Sequence, residues 1–231
     1  MKVLLIGILA LSPLLAKDNE SGKRLDEAAA VFSEVMGAPD KGIPQELLDH
    51  AHCIVIVPDL KTAGFIVGAK YGKGFLSCRN KSNNGWSSPA AVRIEGGSVG
   101  FQIGASSTDL IMLVMNARGA EKLLESKFTV GAEGSIAAGP VGRTATAQTD
   151  AQMHADILSW SRSQGLFAGV ALEGATLRQD IDDNNEVYGK RLRNREIING
   201  ERHVPTAAAK LIGLLDRQSE HKSDHDEHES R

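Results

Sequence analysis

The spacing of hydrophobic positions changes along the chain, and each change marks an element. Over residues 21–36, Leu25, Ala28, Ala29, Phe32, Val35 and Met36 recur at helical spacing, with Lys23, Arg24, Asp26, Glu27 and Glu34 between them. That stripe predicts an amphipathic helix, ended by Gly37, Pro39 and Gly42. Pro44 suits the first turn of a short helix through Leu47 and Leu48. From His52 the pattern is that of strands, predicted at 52–57, 63–70 and 71–79, with a turn at 81–85.

The centre of the pattern is residues 85–116. Residues 89–95 read as one strand, Gly96 and Gly97 as a two-residue reversal, and 98–104 as a returning strand that alternates Val99, Phe101 and Ile103 with Gly100, Gln102 and Gly104. The LIMLVM run from Leu110 to Met115 is apolar on both parities, which predicts an inner strand covered on both faces. Beyond it come a surface helix at 117–128 carrying Ala120, Leu123, Leu124 and Phe128, and a hairpin at 131–147 turning at Gly139 and Pro140. Strands at 151–162 and 166–177 follow, then helical segments at 180–188, 191–198 and 206–217. Glycines recur in pairs within the strand regions, as at Gly72 and Gly74, and a sheet built that way bends. The predicted class is α+β: a strongly curved, mostly antiparallel sheet, a partly closed barrel, with packed helices.

Residues 1–16 hold Lys2, an apolar run from Val3 to Leu15 and Ala16 before a charged stretch. This is the layout of a cleavable export signal and is short for a membrane span. A single domain is expected over 17–218, with its core at 24–190 and helices after it. Residues 219–231 have no apolar side chain and predict a disordered acidic and histidine-bearing tail. The expected location is outside the cytoplasm, periplasmic or extracellular, with membrane association open. Cys53 and Cys78 fall in predicted strands, and in an oxidising compartment they are candidates for a bridge; two buried thiols are the other reading.

The formal net charge of −3 gives no global attraction to nucleic acid or to an anionic membrane, so any such attraction must be local. One local cluster stands out, Lys190, Arg191, Arg193 and Arg195, with Arg191 and Arg195 expected on one helix face. Lys23 and Arg24, beside the first helical stripe, are the second candidates for contact with an anionic lipid. The glycines of GAKYGKG have the wrong spacing for a phosphate loop, and they fall in strands, so they do not open a dinucleotide-binding helix. Asp109, Asp150, Asp156 and Glu173 are candidate acids, and Trp86 and Trp160 candidate sugar-stacking rings, but no spacing selects an acid–base pair. No catalytic residue, metal set or cofactor is assigned. The tail histidines His221, His225 and His228 read as a solvated segment.

Several segments together resemble the SYLF domain family. They are HCIVIVP (52–58), GAKYGKGFLSCR (68–79), GWSSPAAVRIEGGSVGFQIG (85–104), DLIMLVMN (109–116), AAGPVGR (137–143) and SWSRSQGLFAGVALEG (159–174), with Tyr188 and Gly189 near the end. The resemblance implies binding of phosphoinositides or other phospholipids through an amphipathic or basic N-terminal region, and actin binding in eukaryotic members. For bacterial members it implies an exported protein of the cell envelope. The expectation is a non-catalytic lipid-binding module of the envelope. The alternatives are a scaffold that binds another protein and, behind it, a hydrolase.

Overall fold

The structure, a computed structural model, describes residues 19–38, 42–65, 67–80, 85–99, 104–142, 154–163, 166–169, 172, 174–200 and 203–219. Its strands are β1 (Cys53–Phe65), β2 (Val67–Cys78), β3 (Ala90–Val99), β4 (Gly104–Val114), β5 (Lys127–Thr129), β6 (Ile136–Ala138), β7 (Ile157–Ser163), β8 (Leu166–Gly169) and β9 (Thr176–Gln179). The helices are α1 (Glu20–Gly37), α2 (Gln45–His50), α3 (Ala117–Leu123), α4 (Ile181–Tyr188), α5 (Asn194–Ile198) and, after a 3-10 turn at Thr206–Ala208, α6 (Ala209–Gln218). The strands form one strongly curved half-barrel in the order β5-β9-β3-β2-β1-β4-β7-β6, with β8 joined to β7. Pairing is antiparallel throughout except between β6 and β7.

β1 is central and buried on both faces. Ile54 and Ile56 join Leu25, Phe32 and Val35 of α1 and Leu211 and Leu215 of α6 in one core. Val55 and Val57 face the concave side, where Leu123, Phe128, Leu177 and Ile197 fill the half-barrel. The apolar run of β4 divides the same way, Ile111 and Leu113 to the first core, Leu110, Met112 and Val114 to the second. Cys53 and Cys78 are direct cross-strand partners of β1 and β2 and are bonded, with an S–S distance of 2.06 Å.

Several local expectations give way to long-range pairing. Gly96 and Gly97 do not reverse the chain; β3 runs through them, paired to Lys70 and Ala69 of β2. Gly96 instead admits the Ala175 backbone, whose Cα would lie 3.1 Å from an added Cβ. The two strands expected at 63–70 and 71–79 are divided elsewhere, since β1 runs on to Phe65 and β2 begins at Val67. Phe128 lies in β5 and not on α3, because the concave core claims it. Residues 166–177 form two strands, β8 and β9, that pair with different partners. The segment before Gly139 pairs in parallel with β7 and not as one arm of a hairpin, and Gly139 is pressed against the Trp160 ring. The expected residues 100–103 and 143–147 lie outside the described residues, as do the export segment and the tail after Ser219.

Candidate functional site

α1 lies across the sheet as a crossbar, tied at both ends by charge. Near its start, Arg24 Nη1 donates to Asp183 Oδ2 at 2.6 Å; near its end, Glu34 pairs with Arg162, which also holds Asp109 at 2.5 Å. Asn19 caps the helix by accepting from the Gly22 N–H. Its apolar stripe is spent inside, with Leu25, Ala28, Ala29, Phe32 and Val35 all at 1% exposure or less. The first helix therefore has no apolar face left for a membrane.

Next to the start of α1, strand register does what the sequence does not announce. Lys73 of β2 pairs with Arg93 of β3, Arg93 with Arg178 of β9, and Arg178 with Lys127 of β5. Directly paired residues share a face, so four cations from four strands stand in one row. Like charges in that position repel, and three acids offset them. Lys73 Nζ lies 3.0 Å from Asp180 and 2.7 Å from Asp183, while Glu95 takes Arg93 at 2.7 Å and Arg178 at 3.2 Å. With Arg24, five cations face three acids among the described residues. The Arg178 Nε is buried and near Glu95 but lacks hydrogen-bond geometry, so a donor remains unsatisfied.

The acids are held in place by the segment after β9. Asp180 caps α4, accepting from the Asp183 N–H, and its own N–H donates to the Ala91 carbonyl at 2.9 Å. Asn184 accepts from the Ala91 N–H at 2.7 Å, Asn194 donates to the Ala91 carbonyl at 3.1 Å, and the two amides bond each other at 2.8 Å. These two buried asparagines serve β3 where β9 has ended, and they fix α4 beside Lys73. Burial alone would raise the Asp180 carboxyl, but the Asp183 N–H, Lys73 and Arg93 outweigh it and hold it below the usual range. Burial likewise works against the Lys73 ammonium, yet Asp183 and Asp180 raise it above its ordinary value.

Beside this cluster is a cleft of about 350 Å³ lined by Glu20, Arg24, Glu27, Lys61, Tyr71 and Lys73. Its floor borders a bulge in β1 where Asp59 takes φ +54°, a left-handed conformation that aspartate tolerates. The Asp59 N–H donates to Asp109 at 3.1 Å. Burial, together with the neighbouring Asp59 charge, raises the Asp109 carboxyl, although the Asp59 N–H works the other way.

The residues singled out from sequence are only partly brought together. Arg191 precedes α5, which starts at Asn194, so it shares no helix face with Arg195. Gly189, in the left-handed conformation, ends α4 at Tyr188, the boundary expected from the sequence. Arg191 pairs with Asp182 at 2.6 Å and Arg195 with Glu121 at 2.8 Å, both exposed; Lys190 and Arg193 are exposed as well. Lys23 is exposed on α1, and Arg24 is turned inward onto Asp183. Asp109 and Asp156 stand at opposite ends of the β4–β7 ladder, six steps or about 20 Å apart, too far to act as a glycosidase pair. Asp150 and Glu173 lie outside the described residues. Trp86 and Trp160 are buried and bond Ser219 and Pro140 through their indole N–H groups, so neither offers a sugar platform. The string from Gly96 to Gly100 also spells G-x-S-x-G, but Ser98 sits in β3 opposite Gly68 and not on a strand-to-helix turn.

Residues 95–218, more than half of the chain, match the family model described as "Ysc84: Las17-binding protein actin regulator". The chain belongs to the Ysc84 family. It is 32% identical over 211 residues to SH3 domain-containing YSC84-like protein 1 of Xenopus laevis, and 30% over 212 residues to the protein of that name in Homo sapiens. It is 32% identical over 203 residues to Protein YSC84 of Saccharomyces cerevisiae. Those alignments take in 90%, 90% and 86% of this chain but 62%, 61% and 43% of the relatives, so it spans less than two thirds of their length. The Ysc84 (SYLF) assignment agrees with the segments quoted from the sequence, and the family description names a binding protein and regulator.

Proposed function

We propose that this Ysc84-family chain is a non-catalytic binding module that docks on an anionic phospholipid surface after export. The row Lys73, Arg93, Arg178 and Lys127 carries the reading. Each cation held near an anionic leaflet contributes about 1 kcal/mol, and the row sets four of them side by side. Lys127, at the end of that row, is exposed, as are Lys190 and Arg193. The disulfide between Cys53 and Cys78 supports an oxidising compartment. No helix among the described residues is long and apolar enough to cross a membrane.

Co-sedimentation with vesicles tests it. Binding is expected to phosphatidylserine-containing vesicles at low salt, weaker at high salt, and absent on neutral vesicles. Replacing Lys127 and Arg178 together by Gln should weaken it about thirtyfold, two cations at about 1 kcal/mol each. Equal binding to neutral and anionic vesicles at high salt would overturn the electrostatic reading. A second reading, a scaffold for a protein partner, is favoured by the family description. It predicts a partner retained in pull-downs by a chain that leaves every vesicle untouched.

A further inference from the structure

The cleft at the Lys73 end of the cation row is lined by both signs of charge, Arg24, Lys61 and Lys73 against Glu20, Glu27 and Asp59, with the Tyr71 ring beside them. Strand register fixes the cationic side. Lys61 of β1 is the direct partner of Tyr71 of β2, and Lys73 stands two residues on along β2, on the same face and about 7 Å away. Lys73 spends two of its three N–H donors on Asp180 and Asp183, which leaves one, and its side chain is 26% exposed. Lys61 is 71% exposed, with the Asp59 carboxylate 3.4 Å away. The acidic side belongs to α1, where Glu20, Arg24 and Glu27, four and three residues apart, share one helix face. Arg24 is turned onto Asp183, whereas Glu20 and Glu27 are exposed and make no hydrogen bond or ion pair among the described residues. Tyr71, at 47% exposure, is one of two large hydrophobic side chains among the described residues that stand open to solvent.

We infer that this cleft takes a headgroup that carries both a phosphate and a primary ammonium, as in phosphatidylserine, the phosphate on Lys61, Lys73 and Arg24 and the ammonium among Glu20, Glu27 and Tyr71. The inference rests on the lipid-docking reading above and names the lipid that reading leaves open. Three cations and three acids line the cleft, so a simple anion meets as much repulsion as attraction there. A group with both signs finds each of its charges opposed. The acids without partners lie on the same wall as an open aromatic ring, and an ammonium is the ion that gains from both, through carboxylate pairing and contact with the ring face. The donors left over on Lys73 and Lys61 sit on the opposite, sheet side and suit phosphate oxygens. A volume of about 350 Å³ is that of a small ligand site, enough for a headgroup whose acyl chains stay outside. Lys73 is also the first member of the cation row, so a chain docked by the row brings the cleft to the same surface.

The experiment compares binding of the full chain to phosphatidylcholine vesicles that hold the same mole fraction of phosphatidylserine or of phosphatidylglycerol. Both added lipids carry one net negative charge, and only phosphatidylserine has an ammonium. Binding to the phosphatidylserine vesicles should be about tenfold tighter, the size of one exposed ion pair together with one cation–π contact. Glu20→Gln with Glu27→Gln, at exposed helix positions, separates a site from a solvated surface. Removing two acids makes the chain more positive, so a surface without a site would hold both kinds of vesicle more tightly and equally. The cleft instead predicts that the tenfold preference for phosphatidylserine disappears. Soluble O-phosphoserine, which has the same two groups and no acyl chains, should displace the chain from vesicles only at millimolar concentration; displacement at micromolar concentration would reassign the cleft to a free amino-phosphate and overturn the lipid as its source. Equal binding of the unaltered chain to the two kinds of vesicle overturns the headgroup assignment and leaves the docking reading standing. Absence of binding to any vesicle by the unaltered chain overturns both.

Discussion

The same four strands live in two environments. Below the crossbar of α1, β1 to β4 are enclosed: Ile54, Ile56, Phe75 and Ile111 on one side and Val55, Leu76, Val92 and Met112 on the other are nearly inaccessible. Above it Ala63, Ala69, Gly97 and Ala105 form an exposed row of small residues across the same strands. Glycine has opposite meanings in the two regions. Below, Gly74 lets β1 come so close that an added Cβ would lie 2.7 Å from Val57 Cα and closer still to the Ile56 carbonyl. Above, an added Cβ on Gly97 would find only the Gly68 carbonyl oxygen, at 3.9 Å. The first glycine serves packing; the second leaves a surface smooth.

The sharpest way to break that contrast is Gly74→Val. Backbone blocks the added side chain, and backbone in a central strand does not move aside, so a loss of about 3 kcal/mol or more is expected by denaturant titration. A loss below about 1 kcal/mol would mean that β1 yields at its bulge and the lower region is looser than described. Next in size is Cys53→Ala with Cys78→Ala. Both cysteines sit in the enclosed region, 25 residues apart in sequence, and opening the loop should cost about 3 kcal/mol. Vesicle binding measured well below the lowered melting temperature should be unchanged, because the bridge is at the end of the sheet away from the row of small residues.

The enclosed region was the part legible in sequence. The α1 stripe from Leu25 to Met36 repeats over about three turns, and the LIMLVM run is apolar on both parities, so each carries its own environment in its spacing. The upper region was misread at Gly96 and Gly97, because Gly-Gly signals a reversal locally, while the ladder to Lys70 and Ala69 that overrides it lies far away in sequence. The cation row could not be seen at all. Lys73, Arg93, Lys127 and Arg178 are scattered, and only the register of three strand pairs lines them up. What was visible instead, four cations within six residues, is split by the start of α5 at Asn194 and is half spent on Asp182 and Glu121. The two asparagines that orient the acids had a faint signal, paired Asn in otherwise charged stretches, which marks a polar group worth burying only when it has a partner.

The boundary between the regions is charged, and acid should weaken it first. Asp180 is held below its ordinary value when folded, so its contribution is complete above the unfolded carboxylate value and is lost as pH falls through the folded one. Asp180→Asn keeps a capping side chain but removes the charge facing Lys73 and Arg93, and about 1–2 kcal/mol should go at neutral pH. The gap between this variant and the unaltered chain should close on acidification below about pH 4, read from thermal melts across a pH series. A gap that stays constant would assign the effect to packing and not to charge.

The smallest expected effect is the most telling about the upper region. Gly97 has no positive φ and no neighbour nearer than ordinary contact, so Ala fits without displacement and lowers the entropy of the unfolded chain. Gly97→Ala should therefore change stability by no more than about 0.5–1 kcal/mol, and in the stabilising direction. A clear loss in the isolated chain would mean that something already presses on this row, a second copy or another part of the chain, and the exposed face would have to be redrawn. Neutral stability with weakened vesicle binding would instead tie the smoothness of this face to the surface it meets, since one methyl group would then matter only when the face is in use.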